Sequence, residues 1–160
     1  TDSKKAASRS SKSLHYTGLA LDMALDSGMN NPKKERLVIE QSGGGNEWTV
    51  WCRTENENVP VKKVHAYTYN HTRVVVEDRL INFTELANKH GFKGISARRY
   101  FLAGGNYLGA EWWHFQYEKA LEPGKSTFGG ELAKIYSLDE CKKFGPWNDV
   151  KYCVWQESWF

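Results

Sequence analysis

The chain predicts an α+β domain built on a central antiparallel sheet with a few short helices. Three observations carry this prediction. Segments rich in β-branched and aromatic residues alternate with turn residues along most of the chain. Only two helix starts carry a capping box, Asn82-Phe83-Thr84-Glu85 and Ser137-Leu138-Asp139-Glu140. No internal repeat appears, and 160 residues suit one domain with a real core.

The elements follow in order. Residues 1–13 are polar, small and basic and read as a linker or frayed terminus, leaving 14–160 as one domain. Leu19 to Leu25 is a short apolar run carrying one acid, Asp22, and reads as a buried strand. Asp26 to Pro32 is a loop. Arg36–Glu40 and Glu47–Arg53 form a hairpin around the turn Gly43-Gly44-Gly45-Asn46. Lys63–Tyr69 alternates polar and apolar residues, and Thr72–Glu77 is strongly β-branched, so both read as strands. A helix starts at Asn82 and ends at Gly91. Ile95–Phe101 is mixed and reads as extended, Ala103–Asn106 is a loop, and aromatic, alternating Ala110–Tyr117 is a strand. A helix from Ser137 to Phe144 stops at Gly145-Pro146, and Val150–Trp155 is a last strand.

Composition excludes several classes. With 26% charged and 40% hydrophobic residues the chain reads as soluble and globular, and no run is long and apolar enough to span a membrane. The net charge of +3 suits an anionic polymer such as a cell wall but is too weak to argue for nucleic acid. Seven Trp, eight Tyr and seven Phe read as core and sheet packing. The triple glycine lacks the Gly-Lys-Ser/Thr and the helix of a phosphate loop. Cys52, Cys141 and Cys153 lack Cys-x-x-Cys spacing, which excludes a zinc ribbon; Cys141 and Cys153 are close enough in sequence to pair in an oxidising compartment. The chain opens at Thr1 without Met and reads as a mature or truncated product.

Two segments carry chemistry. Ser13-Leu14-His15-Tyr16-Thr17-Gly18-Leu19-Ala20-Leu21-Asp22 supplies an imidazole and a carboxylate, and Glu111-Trp112-Trp113-His114-Phe115 supplies another of each. Two imidazoles, one carboxylate ligand and one spare carboxylate are the inventory of a catalytic zinc site. On a continuous strand His15 and Asp22 would face opposite sides, so their convergence demands a bend, which Gly18 permits. Asp22 in an apolar run calls for a metal, an arginine or backbone donors. Glu111 and His114 have the same parity problem, and Gly109-Ala110 makes Glu111 the residue at the bend and His114 the ligand. Otherwise the pair is simply exposed on a strand.

The pattern Ser-x-His-x-x-Gly-x-Ala-x-Asp followed by Glu-x-Trp-His resembles the zinc D-Ala-D-Ala carboxypeptidase and dipeptidase family. That family includes vancomycin-resistance dipeptidases and the L-Ala-D-Glu endopeptidases of phage endolysins. The matching residues are Ser13, His15, Gly18, Ala20 and Asp22, then Glu111, Trp113 and His114. The resemblance implies a Hedgehog-like fold, Zn2+ held by His15, Asp22 and His114, Glu111 as catalytic base and Ser13 as a substrate contact. It implies hydrolysis of peptidoglycan stem peptides at a bond involving a D-amino acid, in a secreted, periplasmic or cell-envelope setting. The alternatives are an L-Ala-D-Glu-type endopeptidase and a stem-peptide-binding module without turnover.

The family's charge-stabilising arginine precedes its first motif. Here Arg9 is the one arginine in that position, and Arg98 and Arg99 are candidates from another element. The span between the motifs is long, consistent with an inserted hairpin region around Arg36 to Arg53. His65 falls on a strand, His71 in a turn and His90 near a helix end, where a cation suits the dipole. The sequons at Asn70 and Asn82 matter only in a eukaryotic secretory setting.

Overall fold

A computed structural model describes residues 13–117 and 126–143. Outside this range lie most of the 1–13 linker with Arg9, the Gly145-Pro146 helix stop, the strand expected at 150–155, and Cys153. The fold is mixed α and β, with antiparallel strands and few, short helices. The chain divides into two compact units, Asp22–Phe115 and Thr1–Leu21 with Gln116–Phe160.

Strand β1 (Ala20–Asp22) is short and exposed rather than buried. The apolar run around it forms only three paired residues at the edge of a sheet, so Leu21 stays 37% exposed. Strands β2 (Leu37–Ser42), β3 (Glu47–Arg53), β4 (Val61–Tyr67) and β5 (Arg73–Asn82) then close into a small barrel in the order β2-β3-β5-β4. The β2–β3 hairpin runs in antiparallel register from Leu37 opposite Cys52 to Ser42 opposite Glu47. Its turn needs glycine, because Gly43, Gly44 and Gly45 all have positive φ. Pairing of Glu40 with Ala66 closes the ring. A closed barrel replaces the expected single central sheet, because β2 pairs with β4 as well as with β3.

Strand parity splits the apolar residues of the barrel between two cores. Val38, Trp51, Val64, Ala66, Val76 and Leu80 form one cluster. Leu37, Ile39, Trp48 and Val50 join a second, larger cluster with Met29, Tyr67, Phe101, Trp112, Trp113 and Phe115. Leu37, Val38 and Ile39 are therefore all buried, a continuous apolar run serving two faces.

Helix α1 (Phe83–Lys89) begins where its capping box predicts, with Glu85 N–H donating to Asn82 Oδ1 at 2.9 Å. Strand β6 (Phe92–Gly94) and the one-turn helix α2 (Arg99–Leu102) follow. The extended reading of Ile95–Phe101 is corrected by α2, whose side chains bury only Phe101. The segment read as one strand over Ala110–Tyr117 is instead a 3-10 turn at Tyr107–Ala110, a left-handed residue at Glu111, and strand β7 (His114–Tyr117). The second sheet has the order β1-β7-β6.

In the other unit, helix α3 (Phe128–Ala133) is capped by Thr127, whose Oγ1 accepts from Gly130 N–H at 2.9 Å. Gly129-Gly130 hid this helix from the sequence reading. Helix α4 (Leu138–Lys143) carries the expected capping box, with Ser137 N–H donating to Glu140 Oε2 at 2.8 Å. Leu14, Tyr16, Phe128, Leu132 and Cys141 make the core of this unit. Cys52 and Cys141 are free thiols.

Gly28 is closely packed against the larger core. A Cβ there would lie 2.9 Å from both Ile39 Cγ1 and Trp112 Cη2. Gly28→Ala should therefore cost about 1–3 kcal/mol by overpacking, read as a lower urea midpoint at unchanged slope. Burial pushes the Tyr69 phenol up from 10.0 to about 12, while the Trp112 hydrogen bond opposes the rise. A raised folded-state value stabilises fully below the unfolded value and is lost as pH climbs through the folded one. The stability difference between wild type and Tyr69→Phe should hold up to about pH 10 and shrink toward pH 12 in urea titrations.

Candidate metal centre

Each ligand candidate is set by a local backbone device. His15 sits in the 3-10 turn Leu14–Thr17, which Gly18 closes with φ +70°. Gly18 N–H donates to the His15 carbonyl at 3.3 Å, and Thr17 Oγ1 to the Leu14 carbonyl at 2.8 Å. This is the bend that parity requires between His15 and Asp22.

Asp22 ends β1 and His114 begins β7. Met23 N–H donates to the Trp113 carbonyl at 2.9 Å, which makes that pair hydrogen-bonded across the strands. The next pair along, Asp22 and His114, then occupies a non-hydrogen-bonded position, where side chains approach most closely. Their contact follows: His114 Nδ1 lies 2.9 Å from Asp22 Oδ1. The His114 side chain is 15% exposed and that of Asp22 37%. Asp22 is thus not the buried acid of the sequence reading; one edge of it faces solvent and the other faces an imidazole.

His15, Asp22 and His114 each offer one ligand atom, and these atoms all lie within 4.8 Å of one another. Two nitrogens and one carboxylate at this spacing form a group that can hold a metal ion. The donor set suits a borderline metal with one position left for another ligand. Among the described residues this group does not include His65, His71 or His90. His65 and His90 are exposed, on β4 and at the end of α1. His71 holds a left-handed turn position with φ 59°, with its Nδ1 3.1 Å from Tyr67 Oη.

Among the described residues, Glu111 is the other non-glycine residue with positive φ, at 57°. It follows the 3-10 turn Tyr107–Ala110, and its carbonyl accepts from His114 N–H at 3.1 Å. The Glu-x-x-His spacing is therefore a closed turn, with the acid at one end and the imidazole at the other. Glu111 Oε1 accepts from Arg98 Nε at 3.0 Å, and its side chain is 20% exposed. Arg99 opens α2 and is exposed. Ser13 precedes the first 3-10 turn, where its carbonyl accepts from Tyr16 N–H at 3.0 Å.

Buried aromatic neighbours hold the second motif in place. Trp112, Trp113 and Phe115 are all buried. Trp112 Nε1 donates to Tyr69 Oη at 2.9 Å, and Trp48 Nε1 donates to the Ala110 carbonyl at 2.6 Å. Phe115 meets Phe83 edge-on at 5.1 Å. Trp113 packs in the core as the aromatic excess predicts, but the support that Tyr69, Trp48 and Gly28 give this motif is not signalled in the sequence, because they lie 43 to 84 residues before Trp112 and carry no motif of their own.

Metal binding is directly measurable. His15→Ala, Asp22→Ala and His114→Ala should each weaken metal affinity by more than about 100-fold, beyond what loss of an outer-shell partner costs. His65→Ala should leave it unchanged in the same competition titration. No protein-family model, no curated protein and no solved structure matches this chain.

Proposed function

We propose that this chain is a zinc peptidase that hydrolyses peptidoglycan stem peptides at a bond involving a D-amino acid, of the D,D-carboxypeptidase or dipeptidase type, on a Hedgehog-like fold. The observation that carries the reading is the grouping of His15, Asp22 and His114, with Glu111 three residues before His114 in the same closed turn. The substrate class and the choice of zinc rest on the resemblance of the two motifs. The mild positive charge of the chain suits an anionic wall polymer, and the substrate places the protein in the cell envelope.

His15, Asp22 and His114 would hold the ion through two nitrogens and one oxygen. When bound, zinc supplies a Lewis acid that polarises a peptide carbonyl and acidifies water. Glu111 accepts the proton of the attacking water at its carboxylate and returns it to the leaving amine. Ser13 is the candidate for holding the peptide, as a hydroxyl donor, while the Arg98 guanidinium is directed at Glu111.

Glu111→Gln keeps the size of the side chain and removes the base. It should lower the rate of muropeptide cleavage about 10²- to 10⁴-fold, followed by mass spectrometry of the products, with bound zinc unchanged. Equal rates for Glu111→Gln and wild type would sink the mechanism.

A further inference from the structure

Arg98 is mounted on the same frame as Glu111. Its N–H donates to the Gly109 carbonyl at 2.8 Å, two residues before Glu111. The N–H of Ala97 donates to the Asn46 carbonyl at 2.7 Å, which ties this stretch to the β2–β3 turn. Gly109 also leaves no room for a side chain, because a Cβ there would lie 2.5 Å from Tyr100 Cε2. The backbone around Arg98 is thus held by contacts that do not depend on its side chain.

The side chain then makes one directed contact. Arg98 Nε donates to Glu111 Oε1 at 3.0 Å. The Arg98 side chain is 56% exposed, so the pair adds little to stability. What it does is restrict direction. Glu111 sits at a left-handed corner, a conformation that non-glycine residues hold only where their surroundings over-determine it. Its side chain is only 20% exposed, and the planar guanidinium presents its Nε–H along one fixed line.

We infer that Arg98 is a positioning residue for Glu111: its Nε–H holds the carboxylate in one orientation at the Glu111 corner, so that the base is pre-set for proton transfer. This rests on the peptidase reading, which makes Glu111 the base. A lysine at 98 keeps the charge but not the direction, because its ammonium is a rotating point charge on a flexible stem.

The test uses zinc-loaded protein and muropeptide cleavage for wild type, Arg98→Ala, Arg98→Lys, Glu111→Gln and the Arg98→Ala/Glu111→Gln pair. Arg98→Ala should lower kcat about 10- to 100-fold, the scale of a misplaced catalytic group, with KM, bound zinc and melting temperature near wild type. Arg98→Lys should recover part of the loss. In the Glu111→Gln background, Arg98→Ala should cost nothing further, because the residue acts only through the carboxylate. The second readout needs no turnover: the Arg98 Nε–H signal in 1H–15N spectra should persist on zinc addition and shift in Glu111→Gln. A wild-type kcat for Arg98→Ala, additive losses in the pair, or disappearance of the Nε–H signal on zinc loading overturns the inference while the peptidase reading stands. Absence of cleavage by wild type itself defeats the peptidase reading, and the positioning role falls with it.

Discussion

The hydrogen-bonded burial of Trp112 is the constraint on which the second motif depends. Its indole is enclosed in the larger core, with Nε1 bonded to Tyr69 Oη and the ring edge against Gly28. Removing a buried Trp side chain costs about 3–5 kcal/mol, a large share of the stability of a small domain. The polar residues on either side inherit this rigidity. Glu111 precedes the ring and His114 follows it by two positions, so neither backbone can shift without disturbing a packed indole. Trp48 adds a second tether through the Ala110 carbonyl. A ligand set that must agree to within fractions of an ångström is thus mounted on apolar packing.

Asp22 and His114 show how closely acid–base chemistry and metal chemistry overlap. His114 Nδ1 and Asp22 Oδ1 are hydrogen-bond partners, and both residues are also members of the ligand group. Their cross-strand placement keeps the two side chains together, because the backbone of β1 and β7 sets the spacing.

How much of this was legible in the sequence depended on the range of the interaction. The span of β3 was read correctly, because its aromatic and β-branched residues signal locally. Asn82 caps its helix and the Ser137–Glu140 capping box closes in both directions, where those residues announce them. The bends at Gly18 and Glu111 followed from parity, since side chains at those spacings cannot share a face of a straight strand. Barrel closure was not legible, because it turns on Glu40 meeting Ala66, two unremarkable residues 26 apart. The exposure of β1 was misread because apolar composition says nothing of a strand's place in its sheet. Arg98 stood among three candidate arginines; its backbone bond to Gly109 and its side-chain contact with Glu111 distinguish it from Arg99.

The pairing of Glu40 with Ala66 has a consequence beyond architecture. An open four-stranded sheet would present two long rows of unpaired backbone groups, a template for another copy of the chain. Closing β2 onto β4 at Glu40 and Ala66 interrupts those rows in the strands with the strongest β-forming composition. The other sheet ends in β1 and β6, each only three residues long, too short to recruit a neighbour in register. Among the described residues, the strand edges are thus arranged to disfavour self-association by sheet extension, which suits a chain rich in exposed aromatic and aliphatic side chains such as Tyr100, Tyr107 and Val75.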